Sequence, residues 1–393
     1  MTDNQLIIDA TSTVRAGHIH CRGRAEIGPG VNIRCEEMDV GRDVKIGFGD
    51  DDGFAGPHGV IILARRLSIG DNARIGRNVI IKGGAVTLGP DTRIAGDSVI
   101  EVKNRLRIAA GGVIHRHCAI GGRDIEMGRE LRMLSFARIG GGSAHEVHSR
   151  LKVGHWCHMG MYSLINTARA VEIGHEVGLG TRTAIYTHGA YCSFLDGFPA
   201  SYAPVSIGDR CYLPGAVVNP GVKIGRDCVI AVGSVVNRDI PDGSLAGGVP
   251  AKVIRRGCYP GLLTGEEKKE RMLAFTDVMA DLYSDACRVE KLSKSNGADL
   301  VLDRRCAISY CYPGAAPGDA EYPRLILVGH GIDDVREPEK EGLTVIDLDR
   351  RTLRGVADPV SQRYLNQLRR YGVRFPYSPA HGMYQKWDDY HDR

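Results

Sequence analysis

The feature that most constrains the fold is a six-residue period of aliphatic side chains. Ile69 and Ile75 each open such a hexad and are each followed by glycine, and the next hexad begins at Ile81. An amphipathic helix repeats its apolar positions at three and four residues and a half-buried strand at two, so neither explains the period. The chain also has 51 glycines and only 6% aromatic residues, which disfavours a conventional mixed core. A repeat this short predicts a solenoid of stacked coils.

A second regularity is a small or β-branched residue two positions before each aliphatic one. Four cysteines occupy this small position, namely Cys118, Cys157, Cys211 and Cys228. A thiol there packs as a compact apolar group, so we predict structural rather than reactive cysteines. The 11 cysteines are odd in number and form no CxxC pair, which favours reduced thiols.

The repeat divides the chain into three predicted regions. Residues 1–16 are predicted to be an N-terminal arm, residues 17–257 the solenoid and residues 258–393 a small α+β domain. In the last region, Thr264 and Glu267 form a capping box before an amphipathic helix predicted over 264–292. Strand-like runs follow, predicted over 299–303, 307–312, 324–328 and 343–348. Asp358 and Pro359 then predict the start of a second helix that ends before Gly372.

Three interruptions of the hexads predict loops, because an insertion in a solenoid must leave the stack. They cover residues 49–59, 140–149 and 189–204, and the third directly follows His188. Loops on a rigid scaffold are where binding and catalytic groups concentrate. Three histidine pairs are also candidates for zinc ligation: His115 and His117, His145 and His148, and His155 and His158.

Charge and hydropathy exclude several classes of function. The formal net charge is +4, from 51 basic and 47 acidic residues, which is too small and diffuse for a nucleic-acid surface. The chain has no run of eighteen apolar residues and no signal-peptide pattern at its start, so we expect a cytoplasmic protein without a membrane span.

The stretch 173–256 carries a family resemblance. It contains IGHEVGLGTRTAIYTHGAY, an aromatic loop, and PVSIGDRCYLPGAVVNPGVKIGRDCVIAVGSVVNRDIPDGSLAGGVPAKVIRR. This resembles the hexapeptide-repeat acyltransferases, in particular the galactoside, maltose and polysaccharide O-acetyltransferases. The resemblance implies a left-handed parallel β-helix of triangular cross-section, acetyl-CoA as acyl donor and a homotrimer with its site between neighbouring solenoids.

The same resemblance implies that His188 is the general base. A neutral imidazole is suited to removing the proton of a hydroxyl as it attacks a thioester. Asn166 lies in a region comparable to the family's acceptor-positioning residue, and it is equally well explained as a turn residue at a corner. Tyr191, Asp196 and Tyr202 are candidates for binding sugar hydroxyls, on their chemistry alone.

For coenzyme A, the resemblance implies contacts in the last coils and a basic edge. The corresponding positions are Gly215, Val232, Gly233, Ser234, Asn237, Arg238, Lys252 and Arg255. The alternative for the basic residues is a solvated edge that caps the solenoid. Leu213 and Val218 are five residues apart rather than six, which makes a contact at Gly215 doubtful.

These features favour an acetyl-CoA-dependent sugar O-acetyltransferase that transfers the acetyl group directly within a ternary complex. An aminosugar N-acetyltransferase is the second hypothesis, because the same base and groove serve an amine. From other classes, γ-type carbonic anhydrases share the solenoid but bind zinc through three histidines from two subunits. A scaffold without catalysis would need none of the site residues.

Overall fold

Each hexad forms a short strand and a corner, and the polar residues of the hexad determine the corner. After the strand Arg74–Ile75, the chain turns at Asn78, whose φ of 57° is in the left-handed region. Asn72 and Asp97 have the same conformation at other corners, with φ of 57° and 62°. Asn, Asp and Gly tolerate this region better than other residues. Asn or Asp in this conformation therefore marks the bend at these corners, while a larger residue such as Phe136 occupies it at others.

The computed structural model describes residues 5–48, 59–294, 297–311, 323–330, 342–355 and 358–375. It divides into two units, Met1–Pro260 and Gly261–Arg393, which we call the solenoid unit and the C-terminal unit. In the solenoid unit, strands from successive coils pair in parallel and build two long sheets.

The first sheet has 13 strands, in this order: Leu6–Ile8, Ala25–Ile27, Val44–Ile46, Arg74–Ile75, Arg93–Ile94, Val113–Ile114, Arg132–Met133, His158–Met159, Gly178–Leu179, Tyr212–Leu213, Val229–Ile230, Leu245–Gly248 and Ala251–Arg255. Only its last pair is antiparallel, and that hairpin closes the C-terminal end of the stack.

The second sheet has 15 strands. Its main path is Thr13–Cys21, Asn32–Val40, Ile61–Ile69, Ile80–Leu88, Val99–Ile108, Ala119–Met127, Arg138–Ile139, Leu164–Ile165, Ala184–Ile185, Val217–Val218 and Val235–Val236. The remaining strands are Arg150–Val153, Val171–Ile173, Val205–Ile207 and Lys223–Ile224. The last of the long strands, Ala119–Met127, pairs first with Arg138–Ile139 and then with Arg150–Val153, so it spans two faces of the solenoid.

The core of the solenoid unit is a stack of the aliphatic positions of the hexads. Ile62, Ile81 and Ile100 are partners in register on neighbouring strands, and each is fully buried. Burial of such a side chain stabilises the fold by about 1.5–3 kcal/mol. The four cysteines of the small positions are buried free thiols, as predicted. Burial raises the pKa of Cys118 to about 12, so this thiol is not a nucleophile at neutral pH.

The predicted parallel β-helix followed by a small α+β region is confirmed, but two of its boundaries differ. Residues 1–16 are predicted to be an arm, whereas Leu6–Ile8 and Thr13–Cys21 are strands of the first coil. Ile8 pairs in register with Ile27, nineteen residues later, so the repeat already begins in this segment. The solenoid unit ends at Pro260, three residues beyond the predicted boundary.

In its described residues, the C-terminal unit contains two helices and one six-stranded sheet. Helix α1 is Gly265–Ser284 and helix α2 is Pro359–Arg370, and each begins with a capping box, at Thr264 and Asp358 respectively. The strands lie in chain order: Val289–Lys294, Gly297–Leu302, Cys306–Cys311, Arg324–Gly329, Leu343–Asp347 and Thr352–Gly355. The middle strands pair in parallel and the outer ones antiparallel.

The predicted helix over 264–292 is too long. Helix α1 ends at Ser284, and Val289–Lys294 is a strand instead. Val289 and Leu292 continue the apolar spacing of the helix, but they pair antiparallel with Leu302 and Asp299. Tertiary pairing therefore overrides the helical period there. The strand Thr352–Gly355 is not predicted from the sequence.

Two further observations concern the limits of the described chain. The interruption over 49–59 lies, apart from Gly59, outside the described residues. Of the helices that the structure describes, neither has the length and apolar content needed to cross a membrane.

A ladder of side-chain acceptors joins four successive coils of the solenoid. The Arg129 amide donates to Nδ1 of His155 at 2.9 Å, and the His155 amide donates to Nδ1 of His175 at 3.0 Å. The His175 amide in turn donates to Oδ1 of Asp209 at 2.7 Å. A ring nitrogen that accepts a hydrogen bond carries no proton, so Nδ1 is the acceptor nitrogen of each imidazole in this ladder. Burial, with His175 and Arg129 nearby, lowers the pKa of His155.

We predict that this ladder weakens in acid. Because the pKa of His155 is lower in the folded chain, the unfolded chain binds a proton first as pH falls below about 6.5. The free energy of unfolding is therefore fully present above that pH and decreases from there toward the folded pKa. The measurement is the urea midpoint at pH 7.5 and pH 5.5. In His155→Asn the amide oxygen replaces the acceptor without titrating, so its midpoint should fall less than that of the wild type. Equal falls in both proteins would contradict the assignment.

Candidate active site

One corner of the solenoid carries two of the three interruptions. The strands Arg138–Ile139, Leu164–Ile165 and Ala184–Ile185 pair in register on successive coils. The loops that follow them therefore leave the stack at the same corner, one above another. Adjacent strands are about 4.8 Å apart, so side chains from these three corners are within contact distance. The sequence gives the loops but not that they converge.

His188 lies where the third loop leaves the solenoid. His188–Gly189 pairs antiparallel with Ser201–Tyr202, which makes the intervening segment a hairpin. The Tyr202 ring stacks on the imidazole, with centroids 5.5 Å apart and planes at 24°. Backbone pairing and ring stacking together hold the histidine at the base of the hairpin, where it is half-buried.

Asn166 fixes the imidazole from the preceding coil. Its Oδ1 lies 2.9 Å from His188 Nδ1, and its side chain is buried at 3% exposure. The hydroxyl of Thr187 lies 2.7 Å from the same oxygen. All polar groups of Asn166 thus meet other protein groups. Asn166 therefore has no polar group left to bind a substrate. This differs from the substrate-binding assignment made from the sequence.

The hydrogen bonds around Asn166 determine the tautomer of His188. The Ala168 amide donates to Asn166 Oδ1 at 3.3 Å, and Asn166 Nδ2 donates to the Gly140 carbonyl at 3.4 Å. These two contacts orient the side-chain amide with its oxygen toward the ring. An acceptor facing Nδ1 requires the proton on Nδ1, so Nε2 of neutral His188 carries the lone pair.

Arg169 links the two loops of this corner. Its guanidinium lies over the Tyr202 ring, 4.7 Å from the centroid, and is 3.7 Å from a carboxylate oxygen of Glu146. The Arg169 amide also donates to the hydroxyl of Thr187 at 3.0 Å. Arg169 therefore braces the aromatic ring that stacks on His188. The sequence does not predict Arg169 and Glu146, because nothing in the hexad pattern distinguishes them from surface charges.

The other acceptor candidates differ in position. Tyr191 is fully exposed, and Asp196 is exposed in a short 3-10 helix, Phe194–Asp196. Tyr202 is the member of this group that contacts His188. The structure therefore brings Tyr202 to His188, while Tyr191 and Asp196 lie on the outer part of the hairpin.

A different corner, between the row that contains Tyr212–Leu213 and the row that contains Val217–Val218, carries the glycines expected to face coenzyme A. A Cβ atom on Gly215 would be 3.6 Å from Cγ2 of Val232, so these residues lie side by side on neighbouring coils. Gly215 and Gly233 have φ of 59° and 73°, and Val232 is 77% exposed. The missing residue between Leu213 and Val218 is absorbed in this turn, because Val217 still pairs in register with Ala184 and Val235. The five-residue spacing between Leu213 and Val218 therefore does not shift the strand register beside Gly215.

Ser234 does not fit its assignment as a cofactor contact. It is 1% exposed, and its hydroxyl donates to the Ala231 carbonyl at 2.6 Å. The same hydroxyl accepts from the Gly248 amide, and the Ser234 carbonyl accepts from the Val217 amide. Ser234 occupies the small inward position of its hexad, so it closes a turn inside the solenoid.

The basic candidates are all exposed. Asn237 and Arg238 follow Val235–Val236, two coils after the strand that precedes His188 and at the same corner. Lys252 pairs with Gly247 in the terminal hairpin, and Arg255 ends that hairpin. Within the described chain, the side chains of Arg238, Lys252 and Arg255 have no ion pair, so their charge is available to an anion.

Zinc ligation of the γ-carbonic-anhydrase type takes histidines from two subunits, so a single chain would supply only part of the ligand set. Within the described ranges, no group of three or more His, Cys, Asp or Glu side chains could hold a metal ion. The rings of His155 and His175 lie 4.7 Å apart between centroids, and Nδ1 of His155 already accepts a backbone hydrogen bond.

Two family models match the chain within the solenoid unit. Residues 203–238 match the bacterial transferase hexapeptide (six repeats), and residues 66–101 match the hexapeptide repeat of succinyl-transferase. These two segments are hexapeptide repeats, and the resemblance to the hexapeptide-repeat acyltransferases drawn from the motifs is confirmed.

Relatives match parts of the solenoid. A Saccharomyces cerevisiae protein, YJL218W, named for an inferred acetyltransferase activity, is 46% identical over 91 residues, 22% of this chain and 45% of that protein. The galactoside O-acetyltransferase of Escherichia coli is 47% identical over 53 residues, 13% of this chain and 26% of that enzyme. The chain thus spans less than half the length of these relatives. A hexapeptide-repeat acetyltransferase from Vibrio cholerae, solved with acetyl coenzyme A, is 24% identical and covers 37% of this chain and 71% of its own, with a TM-score of 0.24.

We predict that Asn166→Ala releases the tautomer of His188. In histidine-labelled protein at pH 8, NMR should report the Nδ1–H form of His188 in the wild type and a mixture in the variant. The free energy of unfolding should fall by about 1–3 kcal/mol, because buried partners lose their acceptor. Asn219→Ala is the matched control, since Asn219 follows the next paired strand at the same corner. If both variants leave the wild-type tautomer unchanged, Asn166 does not fix the ring.

Proposed function

We propose that this protein transfers the acetyl group of acetyl-CoA to a hydroxyl group of a sugar or glycan precursor, with His188 as general base. The observation that carries the proposal is the contact of His188 Nδ1 with Asn166 Oδ1 at 2.9 Å. It leaves the lone pair of Nε2 as the basic position, which is the arrangement a base needs before it meets substrate.

The reaction proceeds by direct transfer in a ternary complex. Nε2 of His188 accepts the proton of the acceptor hydroxyl while the oxygen attacks the thioester carbonyl. The tetrahedral intermediate then collapses, the C–S bond breaks, and the imidazolium returns the proton to the leaving thiolate of CoA. Asn166 holds the imidazolium through Nδ1–H without adding a negative charge, so its contribution is orientation rather than charge stabilisation.

The cofactor groove of this proposal runs along the last coils. Gly215 and Gly233 supply a corner without side chains, so backbone groups can approach the pantetheine arm closely. Arg238, Lys252 and Arg255 supply the cations for the phosphates, and the fork of Arg238 suits a phosphate group. Val232 lies beside Gly215 at the glycine corner, and Asn237 adjoins Arg238 at the corner that also bears His188. Ser234 is left out because its polar groups are already used.

The acceptor is assigned to sugars from the motif and from the similarity to galactoside O-acetyltransferase. Tyr202 lies beside the base and provides an apolar face with a hydroxyl, which suits a sugar ring. The assay is thiol release from acetyl-CoA over a panel of sugars and aminosugars, followed by the mass of the product. Cleavage of the product by hydroxylamine distinguishes an ester from an amide and so separates O-transfer from N-transfer.

We predict that His188→Ala lowers kcat by at least about 10²-fold, the usual contribution of a positioned base. The dissociation constant for CoA should be unchanged, because the proposed cofactor contacts do not involve this side chain. Calorimetry with CoA and steady-state kinetics measure both quantities. His18→Ala, at an exposed histidine of the first coil, is the control and should behave as wild type. Near-wild-type turnover of His188→Ala with the true acceptor would reject His188 as the base.

We further propose a homotrimer in which solenoids pack along one face of the second sheet. The outward residues of that face share one register and are largely aliphatic: Ile61, Ile80, Val99, Ala119, Arg138, Leu164, Ala184, Val217 and Val235. Ile61 and Val99 are each 37% exposed. The solvent face of a strand is normally polar, so a continuous apolar row of this length favours a covering partner.

The corner beside this row adds an aromatic ladder. His117, Phe136 and Tyr162 stack on successive coils, with centroids 4.9 Å and 5.1 Å apart. Phe136 and Tyr162 have φ of 64° and 57° and are 40% and 52% exposed. Bulky residues in the left-handed region cost free energy, so exposed ones in a column favour a role in binding. A neighbouring solenoid would bury both the ladder and the row and complete the groove.

We predict that Leu164→Glu dissociates the trimer. The new carboxylate lies beside Arg138 on the same face, so the folded subunit tolerates it, but burial of the charge in an interface is costly. Light scattering should give about 43 kDa for the variant and three times that mass for wild type. Thr87→Glu, on a different outward row, should stay trimeric. A wild-type monomer with full activity would reject the assembly.

A further inference from the structure

We infer that Gly142 controls which acceptors reach the base, by leaving open the space beside Nε2 of His188. The inference rests on the proposed function, because it assigns Nε2 as the atom that meets the acceptor. It concerns a glycine of the loop over 140–149, which the hexad pattern identifies only as an interruption.

The observation is a distance. A Cβ atom built on Gly142 would be 3.2 Å from Nε2 and 3.5 Å from Cε1 of His188. An acceptor oxygen must come within about 2.6–3.2 Å of the same nitrogen to lose its proton to it. A side chain at position 142 and an acceptor would therefore compete for the same space. The Gly142 backbone forms one wall of the acceptor site, and the Tyr202 ring covers the imidazole from its face.

The loop is held in place, so the wall cannot move aside freely. The Ala144 amide donates to the Gly141 carbonyl at 3.0 Å, and His145 Nδ1 lies 3.1 Å from the Gly122 carbonyl. Glu146 reaches Arg169, which braces Tyr202. These contacts attach the loop to the coil beneath it and to the hairpin that carries His188.

The backbone requires glycine at the two preceding positions, but not at position 142. Gly140 and Gly141 have φ of 121° and 109°, a conformation that side chains rarely adopt. The φ of Gly142 lies outside that region, and the residue is exposed. Alanine is therefore compatible with the backbone at position 142, and its effect comes from the added methyl group.

The test compares Gly142→Ala with Gly189→Ala. Gly189 is the matched control because it adjoins His188, yet a Cβ atom there meets nothing within 4 Å. The first readout needs no acceptor: the rate at which diethyl pyrocarbonate modifies His188, followed by peptide mass. His148, exposed on the same loop as Gly142, is the internal reference. The second readout is kcat/KM for acetyl transfer from acetyl-CoA to each sugar that the wild-type enzyme acetylates.

We expect Gly142→Ala to slow modification of His188 by at least about tenfold and to lower kcat/KM by a similar factor, as overpacking of this size implies. His148 labelling, CoA affinity and melting temperature should remain those of wild type. Gly189→Ala should match wild type in both readouts. Equal His188 labelling in all three proteins overturns the inference. Slowed labelling in a protein that acetylates no sugar overturns the proposed function instead, and leaves the wall at position 142 established.

Discussion

The structure depends on parallel backbone pairing between successive coils. The Asn166 amide donates to the Ile185 carbonyl and the Tyr186 amide donates to the Val218 carbonyl, and bonds of this kind recur along the stack. They keep each hexad directly over the previous one, so the inward positions form a continuous core. They also superimpose the corners. Residues twenty or more positions apart in the chain, such as Asn166 and His188, thereby become neighbours.

Most of the fold could be predicted because the residue types in the hexad indicate which side chains face inward and where the chain turns. The aliphatic position gives the inward side chain, the small position explains the buried cysteines, and Asn, Asp or Gly gives the corner. The same local logic fails where a segment pairs outside the repeat. Val289 and Leu292 continue a helical spacing but belong to a strand. They pair with Leu302 and Asp299, and the spacing of apolar residues does not reveal such a partner elsewhere in the chain. The segment before residue 17 fails differently, since its hexads are degenerate although its pairing is regular.

The candidate site was predictable in part, for a related reason. His188 could be named from its flanking motif, and the loops from breaks in the period. The contact of Asn166 with the His188 imidazole could not be predicted. It depends on which side chain faces inward at a corner, and the repeat does not define that. Ser234 illustrates the converse. The motif places it among cofactor contacts, whereas its position in the hexad already assigns it to the interior. Arg169 and Gly142 belong to no sequence pattern, and only interatomic distances in the structure identify them.

The regular stacking also makes the solenoid a ruler. The corner that bears His188 and the corner that bears Arg238 are separated by two coils, so their spacing along the axis is about 10 Å. Lengthening a loop changes what surrounds a corner but not this spacing, because loops leave the stack sideways. Only insertion or deletion of a whole coil would change it, and then in steps of about 4.8 Å. The distance between two corners along this axis can therefore change only by whole coils, while the shape of each corner can vary continuously.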